Sequence, residues 1–259
     1  MRADKRLGQH FLRDIEVLEE IAAVADLERS SGALEIGPGE GALTAFLVRA
    51  KRPVVALERD PRAVAAVNER LPDRVHVVEG DALEEDLGAL LPPPIEGMDA
   101  PVVVGNLPYN VGTAIYRRVL DLRRRTSRAV LMLQLEVAER IVAQRSTRAY
   151  GPLAALTSLT SRAWIVRVVP PRAFRPPPKV DSAVLLVEPL ADPLLGPEEV
   201  EGFMKTAFSL FRLRRKTLVH SEISAKALTA VGLDLKSRPE DVPPETILRL
   251  YREFGAGSG

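Results

Sequence analysis

The chain has 259 residues, 46% of them hydrophobic, and its 36 basic and 35 acidic side chains leave a net charge of only +1; this suits one α/β catalytic domain with a small appendage. The absence of cysteine excludes disulfides, thiolate zinc sites, cysteine nucleophiles and methyl transfer to C5 of a pyrimidine, which normally needs a cysteine to attack the ring. Three scattered histidines, His10, His76 and His220, argue against a metal site; no apolar run approaches a membrane span of about 18 residues, and nothing near the N-terminus reads as a signal peptide, so a cytoplasmic, monomeric protein is expected.

In chain order, Asp14 reads as an N-cap for an amphipathic helix over Ile15–Ala25. Residues 33–36 form a short apolar strand ending in glycines, followed by a helix over 41–50. A buried strand over 53–58 precedes Pro61, which opens the next helix. Strands over 75–78 and 102–105 flank a Pro-rich loop, a helix covers 113–122, a strand 129–133, and a helix 136–143. A late strand pair, 164–169 and 180–187, is joined by a Pro-rich segment. Alternating strands and helices imply a parallel sheet covered on both faces. After Pro189 only helices are expected, over 198–211, 216–231 and 244–254, with a disordered tail over 255–259. The expected architecture is a Rossmann-like α/β domain over 1–188 with a small all-helical domain over 189–259.

The neutral total conceals an uneven charge distribution. Acid collects at Glu79, Asp81, Glu84, Glu85 and Asp86; base collects between Arg117 and Arg128, and again at Arg212, Arg214, Arg215 and Lys216. Such runs are either solvated helix faces or a basic surface for nucleic acid.

Three strand ends look like parts of one ligand site. Gly37, Gly39 and Gly41 follow the first strand of the sheet, where alternating glycines let the backbone turn and approach a ligand closely. The spacing is G-x-G-x-G, not the G-x-G-x-x-G of dinucleotide enzymes; taken alone it could be a plain glycine turn. Glu58 ends the second strand, where a carboxylate can accept both hydroxyls of a ribose, and Asp81 follows the third, where it can accept from an adenine amino group. Together they match the S-adenosyl-L-methionine pocket of Rossmann-like methyltransferases.

The fourth strand runs into Asn106-Leu107-Pro108-Tyr109. The amino nitrogen of adenine is a poor nucleophile because its lone pair is delocalised into the ring. Two acceptors aimed at its N–H bonds, the Asn106 side-chain oxygen and the Leu107 carbonyl, favour a pyramidal nitrogen. Pro108 fixes the turn, and Tyr109 can stack on the base and face the developing cation.

With these motifs the chain resembles the ribosomal RNA adenine N6,N6-dimethyltransferases, specifically the bacterial small-subunit (16S) type linked to kasugamycin sensitivity, from about Lys5 to Leu250. Residues 5–12 resemble the family's N-terminal signature, and the resemblance implies cofactor contacts by His10, Leu12, Gly37, Glu58, Asp81 and Asn106; asparagine is commoner at the His10 position. Residues 134–140 resemble another family motif, with Leu135 where a basic residue is usual. Residues 174–182 resemble the late loop whose aromatic, here Phe174, helps hold a flipped base; otherwise Phe174 is a core anchor. Residues 214–218 resemble the start of a basic helix, followed by Val219 and His220 where arginine and asparagine are usual. The resemblance implies small-subunit rRNA as partner, with Arg123, Arg124, Arg214, Arg215 and Lys216 as candidate RNA contacts. The alternatives are the related large-subunit (23S) methylase of macrolide resistance, whose tetrapeptide more often has isoleucine second, and a non-catalytic RNA-binding assembly factor on the same fold.

Overall fold

The computed structural model describes residues 9–255. Residues 5–8 of the N-terminal signature and 256–259 of the expected disordered tail lie outside the described residues.

The elements are β1 (Phe11–Leu12), α1 (Ile15–Ala25), β2 (Ala33–Ile36), α2 (Thr44–Leu47), β3 (Val54–Glu58), α3 (Pro61–Arg70), β4 (His76–Glu79), β5 (Val102–Asn106), α4 (Gly112–Asp121), β6 (Arg128–Gln134), α5 (Leu135–Val142), α6 (Pro152–Thr160), β7 (Ser161–Val169), β8 (Phe174–Arg175), β9 (Ser182–Pro189), α7 (Val200–Phe211), α8 (Ala225–Ala230) and α9 (Pro244–Phe254). Local chemistry sets several helix starts. Asp14 caps α1 by accepting from Val17 N, and Asp60 caps α3 by accepting from Arg62 N, with Pro61 at the first helical position.

The main sheet has seven strands in the order β4-β3-β2-β5-β6-β9-β7. The pairs β3/β4, β2/β3, β2/β5 and β5/β6 are parallel, and β9 is antiparallel to β6. The chain leaves β2 toward β3 and β4, then returns to β5 on its other side, so a topological switch point lies between β2 and β5. Apolar runs such as the fully buried Val102, Val103 and Val104 suit strands covered on both faces. A separate two-stranded ribbon pairs β1 with β8, setting Phe11 opposite Arg175 and Leu12 opposite Phe174.

The chain divides into two compact units. The first contains the chain through Ala138 with Trp164–Pro189, and the second contains Glu139–Ala163 with the chain from Leu190 onward. One division falls after Pro189, next to the boundary expected at 188, and the second unit also takes Glu139–Ala163 from within the expected first domain. The cause is α6, absent from the sequence reading. Its Leu153, Ala154, Ala155, Leu156 and Leu159 are all buried, and it packs with α7 and α9. A helix apolar on nearly every side shows little helical periodicity.

Two expected helices are also shorter than the pattern suggested. The stretch 41–50 is a glycine turn, a single turn of α2 and the 3₁₀ turn Val48–Ala50. The stretch 216–231 is a 3₁₀ turn at Leu218–His220 followed by α8. Serines interrupt it: Ser221 Oγ accepts from Ile223 N, and Ser224 Oγ caps α8 by accepting from Ala227 N, local bonds that compete with a continuous helix. At the chain's far end Gly255 caps α9, its N–H reaching Tyr251 O.

Candidate active site

Four neighbouring strands, β4, β3, β2 and β5, deliver their carboxyl ends to one cavity of about 330 Å³ in the first unit. Its wall includes His10, Leu12, Gly37, Gly39, Glu58, Asp81, Asn106, Leu107, Pro108 and Tyr109, every cofactor-side residue expected from sequence and the whole tetrapeptide. That volume falls in the range of small-molecule sites, and its place beyond the strand ends follows from the crossover topology.

The glycine turn comes first. Gly37 and Gly39 have φ of 69° and 56°, a region in which a side chain is strained. A methyl group on Gly39 would also lie 3.0 Å from the Phe11 ring. Gly37 N donates to Leu57 O at 2.9 Å. Glu58 then ties the turn to β3: its Oε2 accepts from Gly39 N at 3.0 Å and its Oε1 from Asp60 N at 2.9 Å. Burial raises the Glu58 pKa, against those backbone hydrogen bonds. Asp81 accepts from Leu83 N at 2.9 Å and pairs with Arg59 at 3.0 Å.

The tetrapeptide is held from several sides. Asn106 Nδ2 donates to His10 O at 2.9 Å. A carbonyl can only accept, so this contact fixes which end of the amide is nitrogen and leaves Oδ1 as the acceptor. Leu107 N donates to Met132 O at 3.0 Å, and Val111 N donates to Pro108 O at 3.2 Å, closing the turn into α4. The Tyr109 hydroxyl meets Ser182 Oγ on β9 at 2.5 Å, and burial raises the phenol pKa. The Tyr109 ring lies 5.0 Å from that of His10, centroid to centroid. His10 Nδ1 donates to Pro176 O at 2.8 Å, so histidine at this position has a defined tautomer and orientation.

Phe174 corrects the sequence reading. It is 2% exposed and belongs to the hydrophobic core with Leu18, Ile21 and Val184; it does not line the cavity. Phe174 is paired with Leu12 across the ribbon and shares its core cluster. Of the ribbon's residues, Phe11 and Leu12 on β1 line the cavity, and those of β8 do not. Arg123 is a second correction. It is 4% exposed, and its Nη1 donates to Leu120 O near the end of α4, which removes it from any RNA-facing surface; Arg124 beside it is exposed. In the second unit Arg215 and Lys216 are exposed, whereas Arg214 turns its guanidinium onto the carbonyls of Arg148 and Tyr150.

The sequence reading gave Glu35 no role, yet it is a cavity-lining residue and is 1% exposed. Burial first, then the nearby Glu58 charge, raises its pKa to about 7, while Thr44 pulls it the other way. Its Oε2 has no hydrogen-bond partner among the described residues. The available signal was a carboxylate inside the otherwise apolar run of β2, a position that costs free energy unless something requires it.

Comparison with known proteins follows the same lines. The family model described as ribosomal RNA adenine dimethylase matches residues 1–255. A ribosomal RNA small subunit methyltransferase A from Mesorhizobium japonicum is 40% identical over 96% of this chain and 92% of its own length. Among solved structures, a dimethyladenosine transferase from Plasmodium falciparum superposes with a TM-score of 0.74 at 24% identity, covering 95% of this chain and 98% of the other. The 23S rRNA methyltransferase ErmE gives 0.66 at 29% identity, covering 93% and 98%.

Proposed function

The chain belongs to the ribosomal RNA adenine dimethylase family, and we propose that it transfers two methyl groups from S-adenosyl-L-methionine to the N6 nitrogen of adenines in small-subunit ribosomal RNA. The observation that carries this reading is the Asn106 amide. Its nitrogen is committed to His10 O, which leaves its oxygen as an acceptor on a residue of the cavity wall.

The residues present suit the cofactor. The glycine turn leaves room for a ligand to approach the backbone, Glu58 can accept from the ribose hydroxyls, and Asp81 from the adenine amino group. When bound, S-adenosyl-L-methionine supplies an electrophilic methyl group on a sulfonium. Asn106 Oδ1 and the Leu107 carbonyl then accept the two N–H bonds of the target adenine, which turns the nitrogen lone pair toward the methyl. Tyr109 stacks on the base, and its ring favours the positive charge that builds on nitrogen. The first rate gain is positional, because the amine is held in line. The methylated nitrogen then loses a proton to water, which leaves one N–H bond, so the same pair of acceptors serves the second transfer with a single contact.

The target must leave its stack to reach Asn106, which suits an unpaired loop. Arg124, Arg215 and Lys216 supply exposed charge for surrounding phosphates. Small-subunit RNA is favoured by the names of relatives such as that from Mesorhizobium japonicum, and the likeness to ErmE keeps large-subunit RNA as the second reading. Purified small subunits and large-subunit RNA, each incubated with protein and cofactor and then digested to nucleosides for mass spectrometry, separate the two. Dimethyladenine is expected from small subunits alone. Its appearance in large-subunit RNA alone replaces the substrate assignment, and its absence from both despite tight RNA binding favours a non-catalytic assembly factor.

A further inference from the structure

The consecutive residues Gln9, His10, Phe11 and Leu12 all line the cavity, and each is fixed by a different contact. Gln9 Nε2 donates to Asp60 Oδ2 at 3.1 Å. His10 O accepts from Asn106 Nδ2 at 2.9 Å, and His10 Nδ1 donates to Pro176 O at 2.8 Å. Phe11 pairs with Arg175 across the ribbon, and its ring lies 3.0 Å from where a methyl on Gly39 would sit. Leu12 pairs with Phe174 and joins the hydrophobic core.

The His10 carbonyl therefore has an anchor on either side. The β1/β8 ribbon follows it, continued by Arg13 N donating to Ala173 O at 2.8 Å. The Gln9 side chain precedes it. Asp60, the partner of Gln9, is 4% exposed and caps α3. Hydrogen bonds from Arg62 first, and from Gln9 against the effect of burial, lower its pKa to about 2. Near neutral pH Gln9 thus donates to a full carboxylate, the stronger kind of hydrogen bond. Neighbouring Cα atoms are only about 3.8 Å apart, so a fixed Gln9 leaves the next carbonyl little travel.

That carbonyl sets the Asn106 amide. It can only accept, so it selects the orientation with Nδ2 toward it and Oδ1 free to accept. The terminal torsion of an asparagine is broad and roughly two-fold. Without the His10 carbonyl the amide can turn over and offer N–H groups to an adenine amine that is itself a donor. The turned amide gives the reacting nitrogen no acceptor.

We propose that Gln9 is a positioning residue for methyl transfer: latched to Asp60, it holds the His10 carbonyl where it fixes the Asn106 amide with its oxygen as the acceptor. The proposal rests on the reading of Asn106 as an acceptor for the target amine and adds what keeps that acceptor oriented. Gln9 acts through the backbone of its neighbour, so its effect belongs to the rate of transfer and disappears when there is no amide to orient.

The test is a double-mutant cycle on the full chain, read as single-turnover methyl transfer with saturating cofactor and protein in excess over small subunits. Gln9→Met keeps the length of the side chain and removes its hydrogen bond. It should slow transfer at least about tenfold, the low end of what a hydrogen bond to a charged group supplies. In the Asn106→Ala background the same change should cost less than about twofold. Gln9→Glu sets a second carboxylate against Asp60 and should be at least as slow as Gln9→Met. The amide is also read without reference to rate, by NMR of ¹⁵N-labelled protein. The Asn106 Nδ2 protons should exchange with water about tenfold faster in Gln9→Met than in the wild type, in proportion to the opened fraction. That measurement decides if Asn106→Ala is too slow to compare or if Gln9→Glu folds poorly. A wild-type rate for Gln9→Met, an equal loss in both backgrounds, or unchanged protection of the amide overturns the proposal alone. A wild-type rate for Asn106→Ala overturns the reading of Asn106 and this proposal with it.

Discussion

Glu35→Gln should make the empty protein more stable, and increasingly so as pH rises. The carboxyl is fully buried, and its pKa is raised from 4.5 to about 7 by burial first and by Glu58 second, with Thr44 opposing. The native state thus binds the proton more tightly than the unfolded chain. The carboxyl's contribution is complete below about pH 4.5 and is lost as pH climbs to about 7. Each pKa unit corresponds to about 1.4 kcal/mol, so the loss reaches about 3 kcal/mol by pH 8 and is about 1 kcal/mol at pH 5. Glutamine has nearly the same shape and cannot ionise, so the variant should recover those amounts. Asp60, whose pKa is lowered to about 2 mainly by its hydrogen bonds with Arg62, has the opposite sign. Its contribution disappears only as pH falls from about 4 toward 2, outside this window. Urea unfolding can be followed through Trp164, the single tryptophan, which lies in the unit that carries the cavity. An advantage for glutamine that is absent at pH 8, or equal at pH 5 and pH 8, would refute the claim that Glu35 is a buried acid held neutral.

Asn106→Ala should slow methyl transfer in single turnovers by about 2–4 kcal/mol, the usual cost of one transition-state hydrogen-bond partner, with RNA affinity unchanged; a wild-type rate removes Asn106 from the mechanism. Glu58→Ala should weaken S-adenosylmethionine and S-adenosylhomocysteine equally, by about 1.5–3 kcal/mol, since both carry the same ribose; unequal losses by calorimetry would point to the sulfonium side instead. Gly39→Ala combines a left-handed backbone, which costs about 1–2 kcal/mol, with a methyl 3.0 Å from Phe11. Its melting temperature and cofactor affinity should both fall, and retention of both would show that the turn relaxes freely. Arg215→Glu with Lys216→Glu should lower the salt dependence of RNA binding by about 0.7–0.9 per lost contact and spare cofactor binding. Arg214→Gln, by releasing the Arg148 and Tyr150 carbonyls, should act mainly on thermal stability.

The sheet was legible because parallel strands covered on both faces leave a strong trace: short apolar runs, each followed by a turn and an amphipathic helix. Asp14 and Pro61 mark their helix starts by chemistry that does not depend on the rest of the fold. What escaped lacks such a local trace. Helix α6 is apolar on nearly every side and so shows no stripe. The ribbon of β1 and β8 joins two short segments far apart in the chain, where neither contains enough alternation to read as a strand.

The site divides along the same line. Gly37, Glu58, Asp81 and Asn106 were readable because strand order and topology alone carry them to one edge of the sheet, and for residues at strand ends sequence position nearly determines spatial position. Phe174, Arg123 and Glu35 were not readable, because each depends on which side of an element faces solvent. The ribbon packs Phe174 into the core, while Phe11 and Leu12 of the opposite strand line the cavity. The last turn of α4 buries Arg123 against Leu120 O and leaves Arg124 outside, so a run of arginines that looks uniform in sequence holds one structural member and one available to a phosphate. Glu35 is the sharper case. Its position in β2 predicts burial, and burial of a carboxyl beside Glu58 is unfavourable for the empty protein. A fold selected for stability alone would place an apolar residue there. Its presence against that cost belongs to the chemistry of the site and not to the stability of the core.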